Sequence, residues 1–192
     1  MFNKDITIGV IGIGYVGKAC VKFFSNHYLV HTYDIKEPCT ENSIDDLINK
    51  SHCIFICVPT PMQENGSCDL KILEEVLNEF NNKKSSVVIK STVPPGTSEK
   101  LAKKFHNLDI CFNPEFLTES NFIDDFKNQN RIILGGSNSH IVNKIYSNSF
   151  PNSEIINCKS NEAELVKYFT NAFLATKVAF ANEFYSLCKE IN

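Results

Sequence analysis

The residues GIGYVG, at positions 12–17, have the glycine spacing of a loop that binds the phosphates of a dinucleotide. They follow an apolar, β-branched run and open a predicted helix, whose free N–H groups and dipole favour a bound phosphate. Gly12 would permit the tight turn, Gly14 would let the backbone approach a pyrophosphate, and Gly17 would allow the helix to pack closely on the strand. The spacing therefore predicts a dinucleotide site but does not indicate the reaction. The predicted cofactor contacts in this loop are Gly12, Ile13, Gly14, Tyr15, Val16 and Gly17.

An acidic residue follows this loop at the distance expected of a ribose ligand. Asp34 lies about twenty residues beyond Gly14, at the end of the predicted second strand. Its carboxylate would accept a hydrogen bond from the 2′-hydroxyl of the adenosine ribose and would repel a 2′-phosphate. The predicted cofactor is therefore NAD rather than NADP.

Proline-containing segments follow the predicted third, fourth and fifth strands: VPTP at 58–61, STVPPGT at 91–97 and FNPEFLTES at 112–120. Proline restricts its own backbone and that of the residue before it, so these segments are predicted to be extended or turned. Thr60 and Thr92 each offer a hydroxyl to a dinucleotide or a substrate, although threonine in a loop is also an ordinary turn former.

Glu115 and Glu119 lie four residues apart in the last of these segments. They would share one face if the chain after Pro114 became helical. Beside Phe116 and Leu117, they could then act as a general base and its hydrogen-bonding partner. The alternative is a solvated first helical turn, where the helix dipole favours acidic residues.

Strands and helices alternate along the chain, which is typical of an α/β fold with a doubly wound parallel sheet of the Rossmann type. Ser43 is the predicted N-cap of the second helix, and Thr97 or Ser98 that of the fourth. Ligands of such sheets bind at the carboxyl ends of the strands, where the proline-containing segments lie. Strands are predicted at 6–11, 28–34, 53–58, 86–91, 108–113, 131–136 and 154–158, and helices at 15–25, 43–50, 69–80, 98–106, 139–148 and, over about eight turns, 164–192.

The composition excludes several classes of protein. A net charge of -3 argues against nucleic acid as the main partner, because binding the phosphate backbone of a nucleic acid usually needs a basic face. No apolar run approaches the roughly 18 residues that a membrane helix needs, so no membrane segment is predicted and the expected location is cytoplasmic.

Eight cysteines occur without a C-x-x-C pair, so no metal site is predicted. Cys20, Cys53, Cys57 and Cys111 lie in apolar runs, where a free thiol packs as a small hydrophobic group. A disulfide framework is not expected at this size and in this compartment.

Five segments in order, GIGYVG, VPTP, STVPPGT, NPEFLTES and ELVKYFTNAFLATKVAFANE, resemble the nucleotide-sugar dehydrogenases. The resemblance covers essentially all 192 residues. It implies oxidation of the C6 alcohol of a nucleotide sugar to a carboxylate with two NAD and one water, a product that commonly feeds polysaccharide synthesis. NPEFL-x-E is shared by the UDP-glucose and GDP-mannose enzymes, whereas N-x-x-R-I-I-x-G, at 128–135, favours UDP-glucose as the substrate.

The resemblance also implies roles for the loop residues. Thr60 would contact NAD, and Thr92 and Glu119 would contact the cofactor and the reacting centre. Glu115 would handle the water that hydrolyses a covalent thioester. The backbone at Phe116 and Leu117 is implied to touch the substrate.

On the last helix, Lys167 and Asn171 match the lysine and asparagine that hold the reacting oxygen in this family. Their spacing of four places both side chains on one helical face. That face is predicted to lie off the apolar stripe of Leu165, Phe169, Phe173 and Phe180. The predicted catalytic residues are Thr92, Glu115, Glu119, Lys167 and Asn171, and the predicted substrate contacts are Glu115, Phe116, Leu117, Lys167 and Asn171.

The chain departs from the family in one respect. The family's nucleophilic cysteine lies in a glycine-rich sequence of a second domain, and no such sequence occurs here. Cys68 and Cys188 are poor replacements, because a reactive thiolate needs an electropositive, accessible setting. We therefore expect residues 1–159 to form the NAD-binding domain and 160–192 to begin the connecting and dimerisation helix, with the UDP-binding domain absent.

Such a chain is expected to form a homodimer through its last helix and to be inactive alone. Two alternatives stay open: another nucleotide-sugar dehydrogenase, such as one for GDP-mannose, or a non-catalytic NAD-binding module.

Overall fold

The computed structural model describes residues 5–136 and 139–191, which form a single sheet with helices on both faces. The described elements are β1 Thr7–Ile11, α1 Tyr15–Phe24, β2 Leu29–Tyr33, α2 Ile44–Lys50, β3 Cys53–Ile56, α3 Lys71–Asn78, β4 Ser85–Ile89, α4 Thr97–Lys104, β5 Leu108–Phe112, α5 Phe122–Lys127, β6 Arg131–Gly136, α6 His140–Ser149, β7 Glu154–Cys158 and α7 Ser160–Ile191. The strand order is β2-β1-β3-β4-β5-β6-β7. The predicted fold class, a Rossmann-type doubly wound sheet followed by a long C-terminal helix, is confirmed.

The sequence pattern did not indicate the relative orientation of one pair of neighbouring strands. β5 and β6 are antiparallel, with Phe112 opposite Gly135, whereas all the other neighbouring strands are parallel. A parallel β6 would require the chain to cross back to the opposite end of the sheet. The antiparallel arrangement instead keeps the connection from 113 to 130 at the carboxyl end of β5, where ligands of such sheets bind.

Alternate residues of each strand contribute to two separate hydrophobic cores, because successive side chains of a strand point to opposite faces. In β3, Phe55 packs with Phe24, Phe126 and Tyr146 against α1, α5 and α6. Its neighbour Ile56 belongs to the second core, which the helices α2, α3 and α4 cover. The continuous apolar runs of the sequence reflect this burial on both faces.

The N-termini of two helices are capped in different ways. Ser43 caps α2 as predicted, because its hydroxyl accepts a hydrogen bond from the Asp46 N–H at 3.1 Å. The predicted cap of α4 by Thr97 or Ser98 is wrong: Gly96, with φ of 89°, occupies the N-cap position. The Thr97 hydroxyl donates to the Pro94 carbonyl instead, at 2.6 Å.

The last helix, α7, is buried only at its beginning. Ala163, Glu164 and Lys167 are its buried residues, and every residue from 171 to 191 is exposed. Among the described residues, no helix is both long and apolar enough to span a membrane.

Candidate functional site

The G-x-G-x-x-G segment requires glycine for steric reasons at two of its three glycine positions. The space beside the third glycine is empty. Gly12 has φ of +90°, and a Cβ there would lie 2.7 Å from the Cys57 carbonyl oxygen. A Cβ on Gly17 would lie 1.9 Å from the Gly12 carbonyl oxygen. A Cβ on Gly14, by contrast, would meet no atom within 4 Å. Gly12 and Gly17 therefore serve the turn itself, whereas the space over Gly14, at the N-terminus of α1, is open to a ligand phosphate.

The Asp34 carboxylate is fixed beside this loop by backbone donors. Its Oδ2 accepts from the Ile13 N–H at 2.6 Å, and its Oδ1 accepts from Lys36 at 2.7 Å and from Glu37 at 3.2 Å. Burial acts to raise the pKa of Asp34, but these three N–H groups stabilise the charged form and hold the pKa below its ordinary value. The carboxylate is thus ionised and oriented, with lone pairs left for a ribose hydroxyl.

A cleft of about 350 Å³ adjoins the loop and Asp34. Helix α3 forms the opposite wall of the cleft. The sequence of α3 contains no signal that this helix packs beside the glycine-rich loop, so α3 was not predicted to belong to the site. The signal available in the sequence was an apolar residue, Ile35, directly after Asp34. In the structure, Ile35 lines the cleft and is 83% exposed. The size and the mainly apolar walls of the cleft fit the adenosine half of NAD. The lining residues are Ile11, Gly12, Tyr33, Asp34, Ile35, Ile44, Val58, Pro59, Ile72, Glu75, Val76 and Glu79.

The loops after β3 and β4 are tied to each other. The Thr60 hydroxyl donates to the Thr92 carbonyl oxygen at 2.7 Å, and the Ser91 hydroxyl donates to the Val58 carbonyl oxygen at 2.6 Å. Thr60 and Thr92 therefore lie together at the carboxyl end of the sheet. The Thr60 oxygen keeps lone pairs with which it can accept a hydrogen bond from a ligand.

A nearly buried ion pair joins α7 to the loop after β5. The Lys167 Nζ lies 2.8 Å from the Glu115 Oε1 and donates to the Glu115 carbonyl oxygen at 2.5 Å. The two side chains are 7% and 14% exposed, respectively. The Glu115 Oε2 accepts from the Leu117 N–H at 2.9 Å, and the Lys167 Nζ lies 5.6 Å from the centre of the Phe116 ring. The structure thus brings Lys167 together with Glu115, Phe116 and Leu117.

Glu119 and Asn171 are placed differently from these residues. The chain after Pro114 does not become helical until Phe122, so the condition under which Glu115 and Glu119 would share a helical face is not met. Proline and the buried ion pair hold this segment in an irregular path. Glu119 and Asn171 are both exposed, Asn171 one turn beyond Lys167 on α7.

The sequence did not predict a buried polar network that lies beside the start of the loop after β5. Lys90 is 2% exposed, and its Nζ donates to the Asn113 Oδ1 at 2.5 Å. The Tyr146 hydroxyl donates to the same oxygen at 2.6 Å, and the Asn113 Nδ2 donates to the Ile133 carbonyl oxygen at 2.8 Å. Asn113 precedes Glu115 by two positions, so this network anchors the start of the loop. The only sequence signal was a lysine at the end of an apolar strand.

The cysteines behave mainly as packing residues. Cys20, Cys53 and Cys111 are buried, as predicted, and Cys57 is half-buried. Burial raises the pKa of Cys111 to about 12 and also raises the pKa of Cys68, which disfavours their thiolates. Within the described ranges, no cluster of three histidine, cysteine or acidic side chains is arranged to hold a metal ion.

A doubly wound sheet, a G-x-G-x-x-G loop with open space at its second glycine, and an ionised acid at the end of β2 define an NAD-binding domain of the dehydrogenase class. Residues 29–149 match the family described as UDP-glucose/GDP-mannose dehydrogenase family, NAD binding domain. Residues 161–192 match the central domain of the same family. The chain therefore belongs to the UDP-glucose/GDP-mannose dehydrogenase family, and its cofactor is NAD.

Individual relatives agree with this assignment. The UDP-glucose 6-dehydrogenase of Rickettsia bellii is 37% identical over an alignment of 155 residues, and the match covers 75% of this chain and 36% of that protein. That of Bacillus subtilis is 35% identical over an alignment of 164 residues, and the match covers 78% of this chain and 35% of that protein.

Solved structures show the same likeness. A UDP-glucose dehydrogenase from Pyrobaculum islandicum has a TM-score of 0.81 at 28% identity, over 93% of this chain and 52% of that one. A GDP-mannose dehydrogenase from Pseudomonas aeruginosa has a TM-score of 0.79 at 26% identity, over 92% of this chain and 51% of that one. The chain thus spans little more than a third of the length of the curated relatives and about half of the solved chains.

Proposed function

We propose that this chain is the NAD-binding half of a UDP-glucose 6-dehydrogenase, which oxidises the C6 alcohol of UDP-glucose to the carboxylate of UDP-glucuronate with two NAD and one water. The observation that carries the proposal is the nearly buried ion pair between Lys167 and Glu115 at the carboxyl end of the NAD-binding sheet. A domain that only bound NAD would need no such pair. The names of the similar Rickettsia bellii and Bacillus subtilis proteins favour UDP-glucose.

In this proposal, the residues on α7 hold the reacting oxygen. The Lys167 ammonium stabilises negative charge that develops on the C6 oxygen, an effect commonly worth about 3 to 4 kcal/mol per donor. Asn171, one turn further along, donates a second hydrogen bond to that oxygen. Glu115 orients the Lys167 ammonium in the first oxidation and positions the attacking water in the hydrolytic step.

The loops carry the remaining proposed contacts. Thr60, Thr92 and Glu119 contact the cofactor, which accepts hydride from the sugar. The backbone at Phe116 and Leu117 lines the sugar; Phe116 is 42% exposed beside Lys167. The cysteine nucleophile and the UDP contacts belong, in this proposal, to a second domain outside residues 1–192, and residues 1–159 and 160–192 are the NAD-binding domain and the start of the connecting helix. A cytoplasmic location stays a prediction.

The 192-residue chain is expected to bind NAD without oxidising UDP-glucose. Calorimetry should show NAD binding that is at least about tenfold tighter than NADP binding, since the Asp34 carboxylate repels a 2′-phosphate. The absorbance of NADH should stay flat when UDP-glucose is added to the chain and NAD. Steady NADH production would contradict the proposal that the nucleophile lies elsewhere.

A chimera tests whether the chain is catalytic or only a binding module. Residues 1–192 are joined to the remaining part of the Bacillus subtilis relative, and NADH formation is measured with UDP-glucose and with GDP-mannose. Activity that Lys167→Met abolishes while NAD still binds would support the dehydrogenase. Activity unchanged by Lys167→Met would support the non-catalytic alternative, and a preference for GDP-mannose would support the other enzyme of the family.

The chain is also proposed to form a homodimer through α7. This helix of 32 residues exposes Phe169, Phe173, Phe180 and Phe184 on one face, and an exposed apolar patch of this kind commonly marks an interface. Sedimentation equilibrium should give a dimer that Phe173→Glu combined with Phe180→Glu converts to a monomer. Met62→Glu, at another exposed apolar side chain, serves as the control and should leave the dimer intact. A monomer for the unsubstituted chain at high concentration would contradict the prediction.

A further inference from the structure

Glu164 is a fully buried carboxylate whose contacts lie at the start of another helix. It lies in the second turn of α7 and is 0% exposed. Its Oε2 accepts from the Gly96 N–H at 2.5 Å, and its Oε1 accepts from the Ser98 N–H at 2.7 Å. Burying a carboxylate is costly unless hydrogen bonds compensate, and the N-terminus of α4 supplies two donors and a favourable dipole. Glu164 therefore caps α4 from a distance of more than sixty residues in the sequence.

The capped end of α4 continues directly from the loop that carries Thr92. Gly96 is the N-cap residue and has φ of 89°, and the Thr97 N–H and hydroxyl both bind the Pro94 carbonyl oxygen. At the other end of the loop, the Thr60 hydroxyl holds the Thr92 carbonyl oxygen. Two prolines stiffen the path between these ends. A displacement of Gly96 is therefore expected to move the backbone at Thr92.

The same face of α7 holds the neighbouring loop. Lys167 follows Glu164 by three positions, which places the two side chains side by side on the helix. Lys167 binds Glu115 in the loop after β5, while Glu164 binds the loop after β4. One rigid turn of helix thus sets the two loops relative to each other.

The strand order indicates which half of NAD meets the loop after β4. Asp34 ends β2, the glycine-rich loop follows β1, and the order continues through β3 to β4. Adjacent strands are about 4.8 Å apart, so the loop after β4 begins about 10 Å from the glycine-rich loop, on the side away from Asp34. With the ribose at Asp34 and the pyrophosphate at Gly14, the nicotinamide half extends toward Thr92.

We propose that Glu164 is a positioning residue, which holds the loop from 91 to 96 against the nicotinamide half of NAD by capping α4. This proposal rests on the proposed NAD-binding function. It assigns Glu164 no contact with the cofactor or with the reacting atoms. Its effect is therefore expected on NAD but not on ADP-ribose, which contains the adenosine and pyrophosphate but lacks the nicotinamide.

The test compares Glu164→Gln with Glu183→Gln, an exposed glutamate on the same helix, in calorimetric titrations with NAD and with ADP-ribose. The glutamine keeps the shape but loses the charge and one acceptor. We expect Glu164→Gln to weaken NAD binding about three- to tenfold and to leave ADP-ribose binding unchanged. The expected loss is smaller than that of a whole hydrogen bond to a charged group, because Glu164 acts on NAD only through the loop. Glu183→Gln should change neither. Equal losses for both ligands, or no loss for either, would overturn the proposal.

A measurement on the unsubstituted chain keeps the test valid if Glu164→Gln does not fold. The amide protons of Gly96 and Ser98 should resonate at low field in NMR spectra and should exchange slowly with solvent, because both N–H groups donate to the buried Glu164 carboxylate. Rapid exchange of both amide protons would overturn the proposal, because the cap would then not exist in solution. An unsubstituted chain that binds neither NAD nor ADP-ribose would instead overturn the proposed function, whatever the two amides show.

Discussion

Alanine at Gly14 is expected to abolish most NAD binding while the fold survives, whereas alanine at Gly17 is expected to disrupt the fold itself. The two glycines are three positions apart, Gly14 at the N-cap of α1 and Gly17 in its first turn, yet their surroundings differ. A Cβ at Gly14 would meet no atom within 4 Å, and its φ of -73° is ordinary for alanine. A Cβ at Gly17 would lie 1.9 Å from the Gly12 carbonyl oxygen, which belongs to the backbone and cannot rotate away.

The expected magnitudes follow from these surroundings. Gly14→Ala should cost about 1 kcal/mol or less in the free energy of unfolding, as an ordinary change at an N-cap position. Its methyl group would fill the space where the pyrophosphate approaches the helix N-terminus, and NAD should bind at least about tenfold more weakly. Gly17→Ala should cost about 3 kcal/mol or more, because the loop backbone must move to admit the methyl group.

Thermal unfolding and calorimetric NAD titration, applied to both variants, separate the two effects. Gly66→Ala is a suitable control, since Gly66 has φ of +82° with open space around its Cβ position. It should lose about 1 kcal/mol of stability through backbone strain and keep its NAD affinity. Full NAD affinity in Gly14→Ala would show that the pyrophosphate does not pass over this residue.

Removal of the Lys167 ammonium is expected to destabilise the chain strongly. Lys167→Ala leaves the Glu115 carboxylate, which is only 14% exposed, with the Leu117 N–H but without its cation. Breaking a buried ion pair from one side commonly costs about 3 to 5 kcal/mol, because the remaining charge is left in a poorly solvated site. Lys177→Ala, at an exposed lysine of the same helix, should cost less than about 0.5 kcal/mol.

A double variant distinguishes this cause from lost packing. When Lys167→Met is combined with Glu115→Gln, no uncompensated charge remains, and most of the lost stability should return. Urea unfolding of Lys167→Met, of Glu115→Gln and of their combination measures the coupling between the two positions. If the losses in the free energy of unfolding of the two single variants simply add in the double variant, the ion pair contributes little and Lys167 stabilises the chain through its aliphatic stem. In the chimera with the second domain, the double variant should be stable and inactive.

The sequence determined those features whose physical causes are local. Burial on both faces makes a strand such as residues 53–56 a continuous apolar run, so the α/β fold was predictable. The turn of the glycine-rich loop demands residues without a Cβ at Gly12 and Gly17, so their spacing also revealed the dinucleotide site. Ser43 caps its helix from within one turn, and that cap was predicted for the same reason.

Tertiary structure decided what depends on residues that are distant in the sequence. Glu164 replaces the local cap predicted for α4 because a buried carboxylate on α7 reaches its first turn, an approach that no spacing records. Glu115 and Glu119 form a regular pair in the sequence, but the packing of α7 draws Glu115 to Lys167 and leaves Glu119 in solvent. The sequence likewise does not indicate that β5 and β6 pair in an antiparallel way, because a strand buried on both faces has the same apolar pattern in either direction. The residue types thus specified which chemistry the chain can host, and long-range packing decided which of those residues meet.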